Sequence, residues 1–180
     1  KLSDLYPPVH IYEKLSQKYT GRLFYEKESF DATHSVRDTA FPVRTLLSAF
    51  HHFSPKLARK ILIDAVRYSD GICIMDPFHR DLWHLAAVPM GTVAGCIAYP
   101  FIKNPTPLAF AACNLTPLMG SMFFWDGFAS VLRGYTEREL LDLVDIPECA
   151  AFRWETGTWS YPTSLPLGQL KGIYLVGYRT

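Results

Sequence analysis

Apolar and polar positions along this chain fall into blocks whose period shifts between helix-like and strand-like. After Pro7 and Pro8, the residues Val9, Ile11, Tyr12, Leu15 and Tyr19 give a rough apolar helix face that stops at Gly21. Residues 22–26 read as a strand, and the polar loop Phe30-Asp31-Ala32-Thr33 follows. A buried strand is expected at 46–49, with Leu46 and Leu47 in the core and His51 and His52 where the strand stops. Ser54 can cap the next helix, and Pro55 suits its first turn, where no amide hydrogen is needed. Leu57, Ala58, Ile61, Leu62, Ala65 and Val66 stand at helical spacing over 55–68. Asp70-Gly71 ends that helix, and Ile72-Cys73-Ile74-Met75 is a short strand ending at Asp76. Strands alternating with helices through tight connections predict a parallel sheet covered by helices.

The pattern then changes. Residues 82–102 and 104–125 contain no Asp, Glu, Lys or Arg, and Lys103 alone separates the two stretches. Each is about the ~20 residues that a membrane-spanning helix needs. Pro89, Gly91, Gly95 and Pro100 interrupt the first, and Pro105, Pro107, Asn114, Thr116, Pro117 and Gly120 interrupt the second. The expectation is an insertion that packs over a pocket or rests on a membrane surface, rather than a spanning hairpin. Order returns with Trp125-Asp126-Gly127-Phe128 and a helix through Arg133. Thr136 and Glu139 have capping-box spacing, with Leu140, Leu141, Leu143 and Val144 as that helix's buried side. Strands at 151–155 and 172–178 predict a terminal hairpin. The expected organisation is thus a cofactor-type α/β part over 1–81, the apolar insertion over 82–125, and the end of the α/β domain over 126–180.

The 180 residues suit one domain, and the net charge of +1 is spread along the chain, so charge offers no argument for a nucleic-acid partner. Cys73, Cys96, Cys113 and Cys149 lie far apart, without redox-type or metal-type pairing, which fits a reducing, cytoplasmic compartment. Lys1-Leu2-Ser3-Asp4 reads as the end of a strand whose beginning lies upstream.

Four polar positions follow successive strands: Asp4, Asp31, the pair His51/His52, and Asp76. In a parallel sheet all four point toward the edge where ligands collect. A carboxylate there can accept both hydroxyl protons of a ribose, and a second one can accept from the exocyclic amine of adenine. The plainer account is that aspartates cap turns everywhere, and that one histidine packs while its neighbour is solvated. A metal site from His51, His52, Asp76, His79 and Asp81 is the other chemical option, although the spacing matches no tight metal motif. There is no G-x-S-x-G elbow, P-loop or dinucleotide glycine fingerprint.

Asp4-Leu5-Tyr6-Pro7, Phe30-Asp31-Ala32-Thr33 and Leu47-Ser48-Ala49-Phe50-His51-His52-Phe53 resemble the class I S-adenosylmethionine-dependent methyltransferases. More narrowly they resemble a bacterial and fungal branch with an AFHHF-type fourth strand and a long apolar insertion after the fifth. That branch also carries a WDG…S.LR.YT segment, matched by Trp125-Asp126-Gly127, Ser130, Leu132-Arg133 and Tyr135-Thr136. The resemblance implies a Rossmann-like α/β sheet with helices on both faces, truncated at the amino terminus and ending in an antiparallel seventh strand. It places Asp4, with Leu5, at the cofactor ribose. Asp31, with Ala32, falls at the adenine, and Ser48, Ala49 and Phe50 beside the methionine portion. His51 or His52 becomes the general base where the acceptor must lose a proton. The acceptor implied is a small apolar molecule. The family's first strand and glycine-rich turn have no counterpart after Lys1, so a central gap in the sheet is expected. A non-catalytic membrane-associated or interaction protein with this fold is the alternative. A metal-dependent hydrolase using His51, His52, Asp76 and His79 is the third reading.

Overall fold

The computed structural model describes residues 1–34, 42–98, 106–114, 116, 118–162 and 169–179. Helix α1 (Val9–Lys18) and its flanks stand before the sheet, where Leu2 and Tyr25 form a single parallel bridge. The strand expected at 22–26 is reduced to that one bridge.

Among the described residues four strands form the sheet: β1 (Val43–Leu47), β2 (Gly71–Asp76), β3 (Phe152–Pro162) and β4 (Gln169–Arg179), in the order β1-β2-β4-β3. β1 and β2 are parallel, whereas β4 runs antiparallel to both of its neighbours. β4, which follows β3 in sequence, is therefore inserted between β2 and β3. Both hairpin strands extend well beyond the predicted 151–155 and 172–178.

One face of this sheet carries the core. Ile72 and Ile74 of β2, Ile173 and Leu175 of β4, and Phe152 of β3 pack with α2 (Pro55–Tyr68) and α6 (Glu137–Val144). From α2 come Ala58, Ile61, Leu62, Ala65 and Val66, but Leu57 faces solvent. Fully burying an Ile or Leu is worth roughly 1.5–3 kcal/mol, so this face supplies most of the fold's driving force. On the other face Val43 and Leu47 are 60% and 62% exposed. Helices α2 and α6 thus cover the core face, while the β1 end of the opposite face is open.

Strand β1 also departs from its prediction. Leu46 is only half-buried and Leu47 is exposed, while the buried residue is Arg44, whose guanidinium meets Asp64 of α2 at 2.6 Å. The physical reason is position: β1 is an edge strand with helix cover on a single side, so the alternation of its side chains sends Leu47 outward. Ser54 takes the extended backbone of a cap but its hydroxyl makes no capping hydrogen bond.

The uncharged stretch folds into α3 (Leu82–Ala98), α4 (Pro107–Asn114) and α5 (Leu118–Arg133). No helix among the described residues is long and apolar enough to cross a membrane. Helix α5 runs without a break through Trp125 and Asp126, across the boundary drawn from sequence. Residues 99–105, most of the expected link between the two apolar halves, lie outside the described residues.

Candidate functional site

Strand β1 ends at Ser48, which adopts a left-handed backbone (φ 54°) and donates its amide to Met75 O at 2.9 Å. A non-glycine residue there is uncommon, and it turns the chain sharply into the 3-10 turn Phe50–His52. Asp76, the last residue of β2, holds that turn: its Oδ2 accepts the His51 amide at 2.9 Å, and its Oδ1 lies 2.7 Å from His51 Nδ1. Carboxylates only accept, so the shared ring proton sits on Nδ1. The carboxyl ends of the two parallel strands are thereby joined by one histidine–aspartate pair, with His51 3% exposed.

Phe50 is 1% exposed and packs in the core against Phe53 and Tyr135. This expected cofactor residue is thus buried, ring and backbone alike. His52 is exposed and its ring lies against His51 with centroids 4.1 Å apart. Both histidines line a cleft of about 500 Å³, together with Arg80, Arg133, Tyr135 and Glu139. Arg80 and Glu139 pair at 2.5 Å; burial raises the Glu139 carboxyl, but Arg80 and the capping bonds with Thr136 bring it below its ordinary value.

The segment resembling the WDG…S.LR.YT motif fastens this corner. Tyr135 Oη donates to Phe53 O at 2.7 Å, and Thr136 and Glu139 form both bonds of the predicted capping box. Gly127 faces Val88 so closely that an added Cβ would meet a methyl group at 3.3 Å, which lets α5 lie on α3.

Asp4 and Asp31 come together through the backbone, since Phe30 donates its amide to Asp4 O at 2.9 Å. Each closes a local turn. Asp4 Oδ1 accepts from the Tyr6 amide, and Asp31 Oδ1 accepts both the amide and the hydroxyl of Thr33. The Thr33 hydroxyl, more than any other group, holds the Asp31 carboxyl below its usual range. In both residues Oδ2 has no hydrogen bond among the described residues, leaving one acceptor oxygen per carboxylate. Ala32 packs against the core, while Leu5, Ser48 and Ala49 are exposed or half-buried.

The proposed ligand set His51, His52, Asp76 and His79 does not assemble. Among the described residues no three His, Cys, Asp or Glu side chains gather as metal ligands, and both Asp76 oxygens are engaged by His51. His79 instead meets Asp81 Oδ2 at 3.0 Å.

A second histidine–aspartate pair lies beyond Phe78, whose ring stands edge-on to His51 at 5.0 Å. Asp81 Oδ1 accepts the His84 amide at 2.8 Å, capping α3, and lies 3.0 Å from His84 Nδ1. Burial raises the Asp81 carboxyl, but the bonds from His84 and His79 outweigh it and bring it below its ordinary value. His84 is 3% exposed and lines a mainly apolar cavity of about 350 Å³ between α3, α5 and the hairpin. Sequence reading passed over His84; the readable signal is an Asp-x-x-His at a helix start inside an otherwise uncharged stretch.

No protein-family model matches the chain, and no curated protein matches it. A solved structure assigned to the zinc-dependent alcohol dehydrogenases of Rhodobacter sphaeroides is 12% identical, with a TM-score of 0.47, over 94% of this chain and 71% of that one. A likeness at that level carries no argument about this chain. The chain itself has a mixed α/β fold, with helices packed on a sheet of four strands among the described residues.

Proposed function

We propose that this chain belongs to an S-adenosylmethionine-dependent methyltransferase of class I architecture, acting on a small, mainly apolar acceptor. The observation that carries this reading is that polar groups follow each of two separate parallel pairings. His51 and Asp76 meet at the ends of β1 and β2, and Asp4 and Asp31 are joined beyond the Leu2–Tyr25 bridge. Ligands of open α/β sheets collect at that edge. The antiparallel β4 also matches the last strand that the sequence resemblance implies.

The residues present fit the cofactor. Asp4 and Asp31 each keep one carboxylate oxygen, suited to ribose hydroxyls and to the adenine amine respectively. Ser48 and Ala49, at the tight turn after β1, offer backbone beside the methionine portion. The cofactor, when bound, supplies an electrophilic methyl carbon on a sulfonium. What this chain contributes is mostly position, because an in-line displacement depends on alignment. The Asp76 clamp fixes the turn that would face the methyl, and holds the His51 ring at the wall of the cleft.

Exposed Leu82, Trp83, Leu108, Leu118, Met122 and Trp125 on α3, α4 and α5 support contact with a membrane surface, from which an apolar acceptor could enter. Co-sedimentation with phosphatidylcholine–phosphatidylglycerol vesicles tests this; a protein left wholly in the supernatant refutes it.

The central test is S-adenosylhomocysteine binding by calorimetry, to this chain and to a form carrying any residues its gene encodes before Lys1. Binding to either form, weakened about tenfold by Asp31→Ala, supports the reading. Binding to neither moves the assignment to the non-catalytic membrane or interaction protein.

A further inference from the structure

The cavity between α3, α5 and the hairpin has walls formed in part by Phe78, Ala87, Val88, Gly127, Val131 and Leu170. Its polar lining residues are Thr92, Tyr161 and His84. Two of these have spent their hydrogens, Thr92 Oγ1 on Val88 O at 2.9 Å and Tyr161 Oη on Pro77 O at 2.8 Å. His84 Nε2 is different: it is buried and has no hydrogen-bond partner among the described residues. An orphaned polar atom in a folded interior is costly, and such atoms call for a specific account.

The tautomer follows from the neighbours. Asp81 Oδ1 lies 3.0 Å from His84 Nδ1, and a carboxylate there accepts, so the ring hydrogen is on Nδ1 and Nε2 carries a lone pair. A volume of about 350 Å³ is within the range of small-molecule sites. The missing partner is therefore a donor, attached to something apolar enough to lie among these walls. A carbonyl compound would oppose lone pair to lone pair. A carboxylate would bring its charge toward Asp81, and an ammonium would leave water for a single acceptor. A neutral hydroxyl meets none of these objections.

We propose that this cavity binds a small, mainly apolar molecule bearing one hydroxyl, of the phenol class, whose O–H donates to His84 Nε2. The binding claim stands independently. Only the further identification of that hydroxyl compound as the methyl acceptor rests on the methyl-transfer reading.

The test uses 4-ethylphenol and ethylbenzene, which differ by the hydroxyl alone, titrated without cofactor and followed by NMR. In the native chain 4-ethylphenol is expected to bind about tenfold more tightly, as one buried hydrogen bond provides. It should also move the ¹⁵N resonance of His84 Nε2, which ethylbenzene should not. In His84→Phe the two ligands should bind within about twofold of each other. Equal binding of both by the native chain, a phenol preference surviving in His84→Phe, or binding of neither overturns the proposal. If His84→Phe does not fold, the Nε2 resonance of the native chain decides alone. S-adenosylhomocysteine binding is measured separately, so failure of either result leaves the other readable.

Discussion

Two histidine–aspartate pairs stand on either side of Phe78, and they are built for opposite ends. In the first, Asp76 gives one oxygen to the His51 backbone and the other to its ring, so both carboxylate oxygens are spent inside the pair. In the second, a single Asp81 oxygen serves both the His84 amide and ring, and the far ring nitrogen has no partner among the described residues. The first pair ties two strand ends together over a packed core. The second sits at the start of a helix beside a mainly apolar cavity. A satisfied pair stabilises; an unsatisfied one waits for a ligand.

The sharpest separation should be seen in thiol reactivity, which reports how closed each region is. Cys149 is fully buried in the sheet core, and burial, with a smaller contribution from Glu148, pushes its thiol up to about 11. Cys96 on α3 is half-buried. At pH 7.5, Cys96 is expected to label on the order of a hundredfold faster than Cys149, as read by peptide mass spectrometry. Comparable rates would mean that the core opens as readily as the helical layer.

Next in size is Asp76→Ala, which strands the buried His51 amide and ring at once and should cost about 3 kcal/mol in urea unfolding. A loss below about 1 kcal/mol would show that Asp76 is not the clamp of this corner. Asp81→Ala removes a helix cap and should cost about 1 kcal/mol. The lowered Asp81 carboxyl also fixes a direction with pH. Its contribution is complete above its unfolded value, near pH 4, and is lost as pH falls through the lower folded value. Melting temperature should therefore fall less steeply with acid in Asp81→Asn; an unchanged slope would contradict the assignment. The smallest effect is expected from His84→Phe, within about 1 kcal/mol of the native chain, because an apolar ring replaces an unsatisfied one. A loss matching that of Asp76→Ala would erase the distinction between the pairs.

How much of this could be read from sequence depended on whether the signal was local. Helix α2 spans the predicted 55–68, and the Thr136–Glu139 capping box forms both bonds, because each rests on residues within a turn of one another. Ser54 shows the limit: its position was legible, its hydrogen bond was not. Leu47 was assigned to the core because apolar residues usually go there, but what lies over a strand face is decided by distant segments. The hairpin was underestimated because Gly172 and Gly177 weaken a strand pattern; in the fold Trp159 and Trp154 lie over them from the neighbouring strand. At the site, His51 and Asp76 were each recognised as strand-end residues, yet their bond spans 25 positions and needed the parallel register of β1 and β2. His84 escaped notice because it lies in an uncharged apolar stretch and its partner Asp81 was grouped with candidate metal ligands.

The order of the strands also sets a timetable for synthesis. Because β4 lies between β2 and β3, nothing in the sheet joins the β1–β2 pair to β3 until residues 169–179 have left the ribosome. Until then Ile72 and Ile74 have no neighbour on that side, and Phe152 has no strand to lie beside. The nascent chain therefore carries the β1–β2 pair with its inner edge unpaired from the completion of β2 at Asp76 until residues 169–179 emerge. The closing step is the arrival of a single strand, so shortening the chain by that strand should remove the cooperative unfolding transition altogether rather than lower its midpoint.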